Sequence, residues 1–182
     1  QTYAKHDQFL ANEDNGRLGL ATEVYFNSEF GVKVLTEWQK WAEDGVLLYG
    51  GRTYSANDPF IAGEFAMLAQ STSSLGGIQG KVEFDLGTAF LPRLDGYDEG
   101  NNVIGGGCLW ALAGHSEEEN NAVWRFYQFL SETDQSIFWH KGTGYFPSTN
   151  EAVDALEGEG WFEENPNFRT AFDQILAGNN TP

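Results

Sequence analysis

The sequence predicts an α/β fold, and three observations lead there. Apolar segments with strand character alternate along the chain with segments of helical period. Helix start and stop signals bracket the helical stretches, with Ser28 before and Gly45 after one of them and Ser116 paired with Glu119 at the head of another. A serine run, Ser71 to Ser74, stands where a strand-like segment gives way to a helix.

Residues 1–17 are polar and weakly periodic, a loop or an irregular helix. Residues 22–27 alternate around Val24 and Phe26 and predict a short strand. Ser28 then caps a helix reaching about Asp44, whose stripe is Phe30, Val34, Trp38 and Ala42, with Leu35 and Trp41, and Gly45 stops it. A short apolar segment, 46–49, runs into Gly50-Gly51. Asn57-Asp58-Pro59 opens a short helix with proline in its first turn, ended by Gly63. Residues 65–69 read as a buried strand leading into the serine run, and a glycine-containing helix follows over 75–80. Residues 84–92 are a further strand, 97–102 an acidic turn-rich loop, and 103–113 a strand interrupted by Gly105, Gly106 and Gly107. The remainder is helical: Ser116 and Glu119 form a capping box before the stripe Val123, Phe126, Tyr127 and Leu130. Thr133 caps a second helix closing near Gly142, residues 143–147 form a loop, and Asn165-Pro166 starts a last helix ending at Gly178. In domain terms, residues 1–27 lead into the body of the fold and residues 28–182 form one α/β domain with a helical C-terminal part. There is no internal repeat and no low-complexity tract.

Composition narrows the function. A chain of 182 residues with 41% apolar content can bury a proper core. Its 27 acidic residues against 10 basic ones give a net charge of −17, which excludes a nucleic-acid partner, because phosphate backbones demand a Lys/Arg surface. The same deficit excludes attraction to an anionic membrane surface. Cys108 stands alone and has no partner for a disulfide, and it reads as a small buried residue of an apolar strand. Gln1 begins no signal peptide, no apolar run is long enough to span a bilayer, and the last residues, 178–182, read as a linker. The chain reads as a piece of a longer protein.

Two places have the makings of a small-anion site. At Ser71 to Ser74, hydroxyls and helix N–H donors converge, although serine also caps helices for purely structural reasons. At Gly105 to Gly107, missing side chains let a ligand approach main-chain N–H groups, although glycine in a strand also marks a bulge. No P-loop or other glycine-rich nucleotide motif is present. His6, His115 and His140 lack metal-ligand spacing, and His115 and His140 read as structural residues near helix ends. Acidic pairs such as Glu163-Glu164 are expected among 27 carboxylates and argue little for a glycosidase. Trp110, Trp139 and Trp161 would stack on a sugar or fill a core. No metal, cofactor or catalytic residue is indicated, and an enzyme is not expected.

These pieces occur in a recognisable order. The run from Pro59 to Ser71, PFIAGEFAMLAQS, resembles the helix–glycine–strand signature of the family 1 extracellular solute-binding proteins of ABC importers. VIGGGCLWALAG (Val103 to Gly114) resembles the glycine strand of that family's glycerol-3-phosphate-binding branch. FLSETDQSIFWHKGTGYFPST (Phe129 to Thr149) and GWFEENPNF (Gly160 to Phe168) resemble the branch's Trp-His and Thr-Gly-Tyr loop and its Asn-Pro segment. The departures are Gly107-Cys108 in place of Ala-Ser and Thr72-Ser73 in place of Ser-Gly.

The resemblance implies a periplasmic-binding-protein-like (type II) lobe with a mixed sheet flanked by helices, here an incomplete chain holding mostly the C-terminal lobe. It implies ligand contacts at Ser71, Gly106 and Tyr145: a serine hydroxyl, a backbone contact and a tyrosine hydroxyl. The remaining contacts, including an arginine for the phosphate in an Arg-Gly-x-Arg-Leu-Gly-type segment, are expected outside these residues. The implied ligand is sn-glycerol-3-phosphate or a related glycerophosphodiester. The implied partners are the membrane subunits of an ABC permease, the place is periplasmic or otherwise extracytoplasmic, and the state is monomeric. The alternatives are an oligosaccharide binder of the same family and, from another class, a glycoside hydrolase.

Overall fold

In a computed structural model of the chain, residues 2–98 and 100–178 are described. The molecule divides into two compact units. The first comprises Gln1–Ala69, Ala89–Val103 and Asp173–Pro182, and the second Gln70–Thr88 and Ile104–Phe172.

The first unit opens with α1 (Thr2–Lys5) and α2 (Asn12–Gly16), the latter an irregular coil in which Glu13, Asp14 and Asn15 take left-handed angles near φ 54°. The sequence anticipates this irregularity. The Asn12 side chain explains the turn, since its Oδ1 accepts from the N–H groups of Thr22 and Glu23. The following helix, α3 (Glu29–Glu43), begins where Ser28 predicts. The Ser28 hydroxyl accepts from Gly31 N–H at 3.3 Å, and Gly45 leaves the helix at φ 73°. Only the first part of the expected stripe is covered: Phe30 and Val34 are buried, whereas Leu35 and Trp38 are exposed. Gly31 is required for a steric reason, because an added Cβ would collide with the Phe26 carbonyl and the Tyr3 hydroxyl. Around Phe30 gather Tyr3, His6 and Tyr97, each ring edge-on or tilted to its neighbours at 4.9–5.6 Å. The buried His6 is held at both nitrogens: Nδ1 donates to the Thr2 carbonyl at 2.6 Å, and Nε2 accepts from Leu94 N–H at 2.8 Å. A short helix, α4 (Asn57–Ile61), buries Phe60.

The second unit starts with a 3-10 turn, Thr72–Ser74, leading into α5 (Leu75–Gln79). Then come α6 (Glu117–Leu130), α7 (Thr133–Thr143), α8 (Asn150–Gly158), α9 (Trp161–Glu164) and α10 (Pro166–Leu176), whose residues from Asp173 on belong to the first unit. The capping box at the head of α6 is formed as the sequence predicts: Ser116 Oγ accepts from Glu119 N–H, and the Glu119 carboxylate accepts from Ser116 N–H at 2.8 Å. Thr133 is the first helical residue of α7 and not its cap, and the helix closes at Gly144, two residues beyond the expected Gly142. Both α8 and α9 go unanticipated by the sequence reading. Thr149 starts α8 by accepting from Ala152 N–H at 3.2 Å. Val153, Leu156 and Phe162 form the unit's core, packed with Ile137, Trp161, Phe168 and Phe172.

The mixed sheet is not there. Among the described residues the β structure is one isolated antiparallel bridge, Ala11 to Val24. Of the four expected strands, 22–27 contributes that bridge, while 65–69, 84–92 and 103–113 are irregular or extended without a ladder. The type II lobe of sheet and flanking helices is therefore corrected to an arrangement of helices and extended segments. The physical reason is that a strand is not a local property. Apolar and β-branched composition favours extended backbone, but a ladder needs a second segment to supply its donors and acceptors. At 84–88 side chains take that role instead: Asn167 Nδ2 donates to the Leu86 carbonyl at 2.9 Å, and Thr88 Oγ1 donates to Thr170 Oγ1 at 2.7 Å. Cys108 is exposed, not buried, for the same reason, and Ile104, Leu109, Trp110 and Leu112 around it are open to solvent. The linker expected at the end of the chain falls, from residue 179 on, outside the described residues, as does Glu99 of the acidic loop.

Candidate functional site

Ser71, Gly106 and Tyr145 all belong to the second unit. Ser71 is exposed and directly precedes the 3-10 turn. Its N–H donates to Gln70 Oε1 at 2.9 Å, and its hydroxyl lies 3.0 Å from Ser73 Oγ. It makes no side-chain capping bond to the turn that follows. Its hydroxyl is thus presented at the surface beside a second hydroxyl, and the capping role is not the one it fills.

Tyr145 follows the last turn of α7. Gly144 at φ 77° ends the helix in the left-handed region, and its N–H donates to the His140 carbonyl at 2.9 Å. Tyr145 is tied down at both backbone groups: its N–H donates to Thr143 Oγ1 at 3.2 Å, and its carbonyl accepts from His140 Nδ1 at 2.6 Å. The residue itself is 38% exposed, so the anchoring fixes the main chain and leaves the side chain accessible.

These two stretches meet. A Cβ built on Gly144 would lie 3.0 Å from the Thr72 carbonyl oxygen and 3.4 Å from the Phe168 ring. The glycine is therefore fixed twice, by a left-handed backbone and by close approach of the Ser71 turn. Ser71 and Tyr145, separated by 74 positions, are the immediate neighbours of the residues in contact. Gly106 shows no comparable close approach. It lies in the extended, open segment, and a Cβ placed there would meet nothing within 4 Å.

Nearby cations of the unit are engaged elsewhere: Lys141 Nζ pairs with Glu159 at 2.9 Å and sits over the Trp161 ring, and Arg169 pairs with Glu157 and faces the rings of Phe162 and Phe172. No group of three or more potential metal ligands occurs among the described residues. A depression of about 350 Å³ in the first unit, lined by Glu29, Phe30, Lys33, Asp95 and Tyr97 among others, contains none of the three expected residues.

His140 is the residue whose part the sequence reading missed. It is 2% exposed, ringed by Trp161, Phe162 and Phe168 at centroid distances of 4.9–5.8 Å. Burial pushes its pKa below 6.5, the hydrogen bond to the Tyr145 carbonyl opposes that shift, and the neighbouring Lys141 charge adds to it. The signal lay in the spacing: a histidine in the last turn of a helix, five residues before a tyrosine in the loop beyond a terminal glycine.

Residues 3–170 match the family model of the bacterial extracellular solute-binding proteins. The chain is 34% identical over 163 residues to the sn-glycerol-3-phosphate-binding periplasmic protein of Rhizobium meliloti (strain 1021), covering 90% of this chain and 38% of that protein. It is 32% identical to the protein of the same name from Brucella abortus (strain 2308), with 90% and 37% covered. The protein of that name from Escherichia coli (strain K12) is 32% identical over 169 residues, with 92% and 39% covered. The chain thus spans between 37% and 39% of the length of these relatives.

Proposed function

The chain belongs to the bacterial extracellular solute-binding proteins, and from that premise we propose that it forms part of the capture component of an ABC uptake system. The ligand is a phosphate ester of glycerol, sn-glycerol-3-phosphate or a glycerophosphodiester. The protein works outside the inner membrane and hands its ligand to the membrane subunits of a permease. No bond is made or broken; the protein is a binder. No helix among the described residues is long and apolar enough to cross a membrane.

The observation that carries the reading is the junction of the Ser71 turn with the Gly144–Tyr145 loop, in a chain similar over nine-tenths of its length to proteins named for sn-glycerol-3-phosphate. A phosphate ester offers oxygens that accept hydrogen bonds, and on this reading Ser71 and Tyr145 supply two hydroxyl donors. Gly106 contributes a main-chain N–H from its open segment. Such neutral donors orient an anion, and a cationic side chain outside these residues neutralises it bidentately. Domain closure over the ligand then makes the captured form distinct from the empty one.

Calorimetric titration of the natural protein, carrying whatever sequence flanks this chain, tests the ligand class. Binding of sn-glycerol-3-phosphate without turnover supports the proposal. Preference for a neutral oligosaccharide over the phosphate ester refutes the ligand assignment, and release of product from either would refute the binder.

A further inference from the structure

The His140 side chain occupies a position that the binding reading leaves without a task. It is buried at 2% exposure, it bonds to a backbone atom of the residue assigned to the ligand, and its second nitrogen is buried on a ring set among aromatic side chains. A carbonyl oxygen can only accept, so the 2.6 Å contact to Tyr145 requires the proton on Nδ1. Nε2 is then left with its lone pair, buried and with no hydrogen-bond partner. A buried polar nitrogen without a partner costs stability, and so demands a reason for the imidazole at this place.

We propose that His140 is the positioning residue of the binding loop: its Nδ1–H fixes the Tyr145 carbonyl and thereby sets where the Tyr145 side chain stands beside the Ser71 turn. Tyr145 sits one residue past a left-handed glycine, where the chain has left the helix and has no helical bonds to hold it. Two bonds replace them, and they differ in rigidity. The Thr143 hydroxyl is itself part of the helix end, and it also donates to the Trp139 carbonyl. The imidazole is wedged between Trp161, Phe162 and Phe168, so its direction is set by the core of the unit. Phe168 also stands 3.4 Å from the Cβ position of Gly144, which places the same ring against both the histidine and the contact with Thr72. The core therefore reaches the Tyr145 end of the loop through this hydrogen bond, and the loop reaches the serine turn through one close approach. An apolar side chain of similar size would fill the enclosure and leave the Tyr145 carbonyl without its buried donor. The orphaned Nε2 is what the enclosure exacts for having that donor. The inference rests on the reading that Tyr145 contacts the ligand.

The test uses the natural protein with His140→Leu and His140→Asn. The asparagine amide can stand where Nδ1 stands; leucine offers no donor. Hydrogen exchange of the 143–148 backbone, read without ligand, should speed up in His140→Leu and return most of the way to the natural rate in His140→Asn. Affinity for sn-glycerol-3-phosphate should fall about fivefold in His140→Leu, the equilibrium weight of one hydrogen bond, and recover to within about twofold in His140→Asn. Nitrogen NMR of the unaltered protein should find the Nδ1–H tautomer of His140, a result independent of whether the variants fold. Unchanged loop exchange in His140→Leu, equal losses in both variants, or the Nε2–H tautomer would each overturn the proposal. If the unaltered protein binds no phosphate ester, the binding reading fails, and loop exchange and tautomer alone decide whether His140 anchors the loop.

Discussion

At the scale of single residues, buried polar side chains determine what holds the loops. His6 has a partner on each ring nitrogen, while His140 has one partner and a lowered pKa dominated by burial. The sign of its pH effect follows from linkage. The folded state holds His140 neutral below 6.5, so between that value and the lowered one the unfolded chain binds more protons than the folded chain. Its stabilising contribution is complete above about pH 6.5 and is lost as pH falls through that window, 6.5 being the ordinary histidine value. Urea unfolding from pH 7.5 to 5 should show this decline, and His140→Asn should flatten it. A stability that rises on acidification through the same window would contradict the assignment of a neutral buried imidazole. Sequence exposes the histidine but not its burial, because nothing local reveals that Trp161, Phe162 and Phe168 close around a helix end more than twenty positions away.

At the scale of elements, most caps and stops are legible, Thr133 and Gly142 excepted, and strands are not. Ser28, Ser116 with Glu119, and the Pro166 start all act through neighbours within four positions, so their chemistry is written in adjacent residues. Replacing Ser116 by alanine should cost about 1 kcal/mol of stability, the usual weight of an N-cap, read as a lowered urea midpoint. The same cap holds the Glu119 carboxyl below its ordinary 4.5, first through the Ser116 backbone N–H and then through its hydroxyl. That contribution is present above about pH 4.5 and lost as pH falls below it, so alanine at 116 should also weaken the acid-side decline. The strands failed for the opposite reason. Residues 65–69 and 103–113 have strand composition, yet pairing depends on a distant segment that no local pattern names. Where two distant elements do meet, at Gly144 and Thr72, the glycine is the visible trace. Gly144→Ala should cost about 1–2 kcal/mol from the left-handed backbone alone, before the added Cβ meets the Thr72 carbonyl at 3.0 Å. Thermal unfolding of that variant checks it, and an unchanged midpoint would mean that the loop adapts freely.

At the scale of the whole molecule, the family match covers residues 3–170, and the short runs that suggest the family in the sequence are spread from Pro59 to Phe168. The family reading came from ordered short runs, each holding glycines, aromatics and capping residues at fixed offsets. The individual strands are suggested by apolar runs, and the run at 103–113 is largely exposed at Ile104, Leu109, Trp110 and Leu112, as are Trp124, Phe126 and Phe129 on the helix α6. Of the three expected contacts, Ser71 and Tyr145 flank one close approach, and Gly106 lies in an extended segment where an added Cβ would meet nothing within 4 Å. The central claim is that the natural protein captures a glycerol phosphate ester with Ser71 and Tyr145 among its donors. Calorimetric titration of sn-glycerol-3-phosphate against the unaltered protein, Ser71→Ala and Tyr145→Phe tests it most directly. Each substitution should weaken binding by about 1 kcal/mol, roughly fivefold, without shifting the unfolding midpoint, because both hydroxyls belong to exposed residues. Unchanged affinity in both variants would contradict the claim and remove the site from this junction.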